Sequence, residues 1–399
     1  MSAKFLNRSS PPHILTLVLA TATGSLTLNV FLPSLPGMAR HFNTDYAVVQ
    51  LAVSLYLVAT AGLQLIVGPA SDRFGRRPVM LGSFGVFLVG TVGAIFAPTI
   101  EILLACRLLQ AFSAAGMVLA RAIVRDTVDA ADAAGKIGYI TMGMAVVPMI
   151  GPAIGGFLDE SFGWHSTFVL TLGFGLLAIA IVYADLGETN HARSANFRAQ
   201  FAAYPELLVS RRFWGYTLTA VFTSGAFFAF IGGVPYVSSE ILELNPSEYG
   251  LYFAIISLGY IFGNFLSGRF ARRVGINRMM LAGNILSSAG MILAILLFWF
   301  GYEHPLSLFG PAILTGIGNG TTLPSANAGM VSVSPHLAGS ASGLGGALQM
   351  GGGAVLSVVA AALLNPDTGA YPLLLVMLLS SCAAILATLY VMKVARSLS

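Results

Sequence analysis

The chain has 399 residues, of which 56% are hydrophobic and only 9% charged, with a formal net charge of +4 and a mean hydropathy of +0.82. So little polar surface excludes a soluble globule, and the reading is an integral membrane protein. The small positive charge reports topology and contact with anionic lipid, not nucleic acid.

A hydrocarbon core of about 30 Å takes roughly 20 apolar residues per helix. Twelve such stretches are predicted in chain order: 13–35, 47–69, 78–97, 102–124, 136–158, 165–185, 213–236, 248–270, 277–300, 306–330, 337–363 and 371–393. No Asp or Glu falls in the middle of any of them. The first run follows Lys4 and Arg8, as the apolar core of a signal peptide would, but it continues to Leu32-Pro33 with no small-residue cleavage site and is read as helix 1. With both termini placed in the cytoplasm, 17 of the 20 Lys and Arg residues fall on cytoplasmic segments; Arg40 lies outside, and Arg107 and Arg121 lie within helix 4. The opposite orientation would reverse this bias.

Along the chain, helix 1 ends in Asn29-Val30-Phe31-Leu32-Pro33-Ser34-Leu35-Pro36, and helix 2 carries Tyr56 and Gln64. The loop after helix 2 reads Gly68-Pro69-Ala70-Ser71-Asp72-Arg73-Phe74-Gly75-Arg76-Arg77-Pro78. Helix 4 holds Arg107-Leu108-Leu109-Gln110 and then Ala120-Arg121-Ala122-Ile123-Val124-Arg125-Asp126, and helix 5 holds Gly151-Pro152-Ala153-Ile154-Gly155-Gly156. Gly163-Trp164 and Phe168 follow, and a polar stretch from Gly187 to Arg212 closes the first half. In the second half Ser267-Gly268-Arg269-Phe270, with Arg272-Arg273, echoes the loop after helix 2, which points to a duplicated six-helix unit. The expected domains are therefore an N-terminal bundle (1–186), a cytoplasmic linker (187–212) and a C-terminal bundle (213–399).

These segments resemble the major facilitator superfamily. The loop after helix 2 is similar to its loop 2–3 signature, Arg107 to its helix 4 arginine, and the helix 5 glycines to the end of the drug-antiporter signature. The segments around Phe31, Arg121 and Trp164 resemble the bicyclomycin and chloramphenicol resistance (Bcr/CflA) branch. The resemblance implies an all-α fold of twelve transmembrane helices in two pseudo-symmetric bundles. It implies a monomeric, multi-pass protein of the bacterial inner membrane that exports small drugs or metabolites, including phenicol-like antibiotics, in exchange for protons.

Each motif also has a physical reading. Asp72, with Arg73, Arg76 and Arg77 and the turn glycines Gly68 and Gly75, can form a gate latch, since an acid adds nothing to positive-inside anchoring. Gly151, Pro152, Gly155 and Gly156 allow another helix to pack closely and the backbone to bend. An Arg in a membrane helix costs about 3 kcal/mol on insertion scales, so Arg107 and Arg121 are expected to face a protein interior or a water-filled cavity. Fourteen residues apart, they and Gln110 are expected on roughly one face, with interfacial snorkelling the alternative for Arg121. Asn29 stands where the resembled carriers have an Asp, and Asn cannot titrate. It is an engineered replacement, a natural one with protons carried elsewhere, or the mark of an uncoupled carrier whose Arg107 attracts an anionic or dipolar ligand. The substrate and coupling candidates are thus Asn29, Tyr56, Arg107, Gln110 and Arg121.

Helix 7 is dense in aromatics (Phe222, Phe227, Phe228, Phe230, Tyr236), and Gly316, Gly318 and Gly320 read as a packing face of helix 10, not a dinucleotide signature. Cys106 and Cys382 lie inside predicted helices and all six His at segment ends, so neither a disulfide, a metal cluster nor a cofactor site is expected. A membrane enzyme has no support in the sequence. The competing function is a facilitator or anion exchanger without a midplane proton site.

Overall fold

The computed structural model describes residues 5–127, 130–190, 204–334 and 337–396. His191, Arg193, Arg198 and His336, and with them half of the 187–212 linker, lie outside the described residues. Twelve long helices run in chain order. In the first half they are α1 (Ile14–His41), α2 (Tyr46–Phe74), α3 (Arg76–Ile95), α4 (Ile100–Thr127), α5 (Ala130–Phe162) and α6 (His165–Asp185). The second half contributes α7 (Arg211–Ile241), α8 (Pro246–Val274), α9 (Ile276–Trp299), α10 (Pro305–Ser332), α11 (Ala338–Leu363) and α12 (Tyr371–Arg396). Ten are apolar enough to cross a membrane, and α5 and α10, at 33 and 28 residues, also exceed the roughly 20 that a bilayer requires.

Local sequence sets the ends. Asn245 accepts a hydrogen bond from the Glu248 amide at 2.8 Å and Glu248 accepts one from the Asn245 amide at 3.0 Å, a reciprocal cap that starts α8 at Pro246. Gly75 and Gly275 have φ of +103° and +89°, which lets α2 turn into α3 and α8 into α9 within one residue. The same device at matching places is the structural form of the sequence echo between the halves. Two helices are interrupted. α1 passes through a tight turn at Leu32–Ser34, where Pro33 and Pro36 supply no amide donors, and α4 tightens at Ala111–Ser113, where the Ser113 hydroxyl takes the Gln110 carbonyl at 2.8 Å.

The turns at Gly75 and Gly275 share one end of the molecule, called here the basic end. At the opposite end a single apolar core is drawn from both halves, including Phe31, Leu35 and Val53 from the first and Phe230, Phe253 and Phe309 from the second. Toward the basic end the core divides in two. Leu17, Met80, Phe84 and Ile123 cluster within the first half, and Leu207, Phe213, Met280 and Met330 within the second. The seam between halves is built from α2 against α11 and α5 against α8. Four hydrogen bonds cross it among the described residues: Arg40 to Glu240, Tyr46 to the Gly232 carbonyl, Gln50 to Ser357, and Ser257 to the Pro148 carbonyl. None lies at the basic end.

Candidate functional site

Arg107 is fully buried in the first bundle. Its Nε donates to the Ala52 carbonyl at 2.9 Å, and its Nη1 donates to the Thr27 carbonyl at 3.1 Å and to Gln110 Oε1 at 2.6 Å. The guanidinium carbon sits 4.2 Å from the centre of the Phe31 ring and 4.7 Å from that of Tyr56, so two π faces stand where a carboxylate would be expected. Gln110 passes the chain on to Thr91 at 3.0 Å, and the Tyr56 hydroxyl bonds the Gly24 carbonyl at 3.0 Å and Ser113 Oγ at 2.9 Å. Arg107 Nη2 has no partner. A buried cation with an idle donor and no acid beside it is a focus of positive potential within the bundle.

Arg107, Gln110 and Tyr56 therefore come together, within the bundle and not on an open cavity wall. Arg121 does not join them. The tight turn at 111–113 separates it from the upper part of α4, its side chain is half-buried, and among the described residues it has neither a hydrogen bond nor an ion pair. The two arginines lie on either side of this turn, which no 3.6-residue period anticipates.

Asn29 turns elsewhere too. Its Nδ2 donates to the Ser25 carbonyl at 2.7 Å, its Oδ1 is buried without a partner, and its Cβ lies beside Gly151 of α5. Arg107 meets α1 through Thr27 and Phe31, so no direct bond joins it to Asn29. The helix 5 motif explains this seam: any side chain at Gly155 would run into the Val30 carbonyl, and any at Gly156 into the Pro246 carbonyl. The motif glycines thus seat α5 against α1 on one side and against α8 of the other half on the other. The carbonyl of Pro152 likewise fits against Gly250.

At the basic end Arg76 is the hub. It pairs with Asp72 at 2.5 Å and with Asp126 at 2.9 Å, and also donates to Ser71. Glu188 accepts from the amides of Arg76 at 2.9 Å, Thr189 at 3.0 Å and Asn190 at 2.9 Å, and Asn190 donates to the Ser71 and Asp72 carbonyls. The absence of a side chain at Gly75 is what admits the Glu188 carboxylate. Arg77 lies against the Tyr183 ring, and Arg73 against that of Phe74. Gly68 faces open space. Asp72 makes no bond to the second half among the described residues; it is tied to Arg76, and its carbonyl to Asn190 at the start of the linker.

Sequence reasoning missed Glu188 and the seam residues Tyr46, Gln50 and Ser357 as functional positions. Glu188 is 112 residues from Arg76 in sequence, so nothing in the sequence marked its place beside the latch, and nothing marked Gln50. The helix 7 aromatics are largely core, with Phe230 packed on Phe253 and Phe309, and the α10 glycines abut α8 and α9 as expected.

The family model for the Major Facilitator Superfamily matches residues 17–357 and 233–398. The chain belongs to the major facilitator superfamily. It is 30% identical to a bicyclomycin resistance protein homolog of Haemophilus influenzae over 96% of each chain. A chloramphenicol resistance protein of Pseudomonas aeruginosa is also 30% identical, over 79% of this chain and 75% of its own. These relatives carry the names of the efflux branch that the sequence motifs resemble. In fold the chain matches the crystal structure of a bacterial homolog of the human lysosomal transporter Spinster, with a TM-score of 0.75 at 18% identity over 96% of each chain. This superfamily member is accordingly a multi-pass membrane transporter of small molecules, not an enzyme.

Proposed function

We propose that the protein exports small, moderately apolar drugs or metabolites, phenicol-like antibiotics among them, across the bacterial inner membrane by alternating access. The observation that carries this reading is the asymmetry of the core, joined across the halves at one end and divided at the other. It is the packing expected of a carrier sealed on one side of the membrane and parted on the other. By the distribution of Lys and Arg, the parted basic end faces the cytoplasm and both termini lie there. Arg107, Gln110 and Tyr56 serve as the polarised element of the first bundle, Asn29 as its neighbour on α1, Arg121 as a cation near the basic mouth, and the Asp72–Arg76 cluster as the latch.

Exchange for protons is the leading driving force. A facilitator or anion exchanger is the second reading, favoured by Arg107 standing without a carboxylate and by Asn29 at a position unable to titrate. The experiment is drug-induced proton flux in proteoliposomes, screening chloramphenicol and other neutral drugs, with the present protein beside Asn29→Asp. Flux in the present protein supports antiport; transport with no flux in either supports the facilitator; no transport of any drug overturns the substrate class.

A further inference from the structure

The four bonds across the seam differ in kind. Arg40 and Glu240 are an exposed pair, 3.4 Å apart with side chains 69% and 44% accessible, in the setting where ion pairs contribute least. Ser257 makes a long bond of 3.4 Å to the Pro148 carbonyl. The remaining two converge on one point. Gln50, fully buried on α2, donates through Nε2 to Ser357 of α11 and to Ser54 one turn along its own helix at 2.9 Å, while Ser54 donates back to Gln50 Oε1 at 3.2 Å. One turn before Gln50, the Tyr46 hydroxyl donates to the Gly232 carbonyl at 2.8 Å, and the Tyr46 ring packs against Tyr236 at a 55° tilt with centroids 5.2 Å apart. Gly232 of α7 lies directly under the Gln50 amide and the Ser357 hydroxyl, leaving no room for a side chain.

From this geometry we infer that Gln50, Ser357, Tyr46 and Gly232 form the lock that holds the opposite end shut, binding α2 of one half to α7 and α11 of the other. The inference rests on the alternating-access reading above. Its groups carry no charge, and the Gln50–Ser357 bond is fully shielded from water, so breaking it without water to replace the bond leaves a buried amide unsatisfied. The lock therefore acts as an all-or-none contact: the seam parts at this end only when enough separation admits water to both sides. Being uncharged, it is insensitive to salt, unlike the exposed Arg40–Glu240 pair.

The test is a distance measurement by electron–electron double resonance between spin labels at Asn43→Cys and Glu243→Cys, in nanodiscs, with Cys106 and Cys382 replaced by Ala. Neither substrate nor proton gradient is needed, so a failure of drug transport and a failure of the lock are separately visible. Gln50→Leu and the milder Ser357→Ala are each expected to raise the longer-distance population about fivefold or more, the double variant to add little beyond either single one, and Arg40→Ala to leave the distribution unchanged. Distributions for Ser357→Ala and Gln50→Leu that coincide with the parent's would overturn the inference. So would opening by Arg40→Ala alone, which would assign the lock to the exposed ion pair.

Discussion

The carbonyl of Ser25 decides what an acid at position 29 would do. The Asn29 amide nitrogen donates to it at 2.7 Å, so a protonated carboxyl from Asn29→Asp can donate in the same place, whereas the ionised form would set two oxygens against each other in an apolar seam. Burial beside this carbonyl therefore penalises a charged group at position 29 in this conformation. Asn29→Asp should be less stable than the parent at pH 8, as thermal unfolding in detergent would report. Arg107 makes the second prediction at this scale. Arg107→Lys keeps a charge but cannot reach Ala52, Thr27 and Gln110 together or lie flat between Phe31 and Tyr56, and should cost about 2 kcal/mol or more of stability along with most transport. An undiminished transport rate in Arg107→Lys would mean that only the charge matters.

Between helices, glycine is read by what surrounds it. Gly155→Ala should abolish or severely reduce folded protein, because its Cβ would meet the backbone carbonyl of Val30 and force α1 and α5 apart, while Gly62→Ala and Gly82→Ala, which face open space, should be neutral or slightly stabilising. Yields of monodisperse protein on size exclusion compare them directly. At the α2–α3 turn, Gly75→Ala meets both a left-handed φ and the Glu188 carboxylate, and should cost about 1–3 kcal/mol. The helices themselves were legible: predicted spans such as 165–185 and 371–393 begin at the observed His165 and Tyr371, since an apolar run of fixed length leaves little freedom. Their excess length was not. α5 runs from Ala130 to Phe162 where 136–158 was expected, because polar residues such as Asp159 and Glu160 end the apolar run without ending the helical hydrogen bonding. The interruption at 111–113 escaped because Ser113 acts through a hydroxyl–carbonyl bond that hydrophobicity does not register.

At the level of the whole molecule, the duplicated architecture was readable from the Ser71–Arg77 echo, but the asymmetry between its two ends was not. Which faces of α2, α5, α8 and α11 meet depends on contacts hundreds of residues apart, such as Gln50 to Ser357. The orientation can be tested simply: a membrane-impermeant maleimide applied to intact cells should label Asn365→Cys and spare Arg273→Cys, and the reverse pattern would invert the topology argued from the basic residues.

The covalent connection between the bundles lies at the end where their cores are separate. Glu188 and Asn190 moor its start to the first bundle, and Leu207, fully buried in the second bundle's core, moors its finish. From Asn190 to Tyr204 is 14 residue steps, which span at most about 50 Å. The distance between Asn190 and Tyr204 can never exceed that span, so covalent connectivity alone caps how far the two bundles can part at this end, whatever cargo enters.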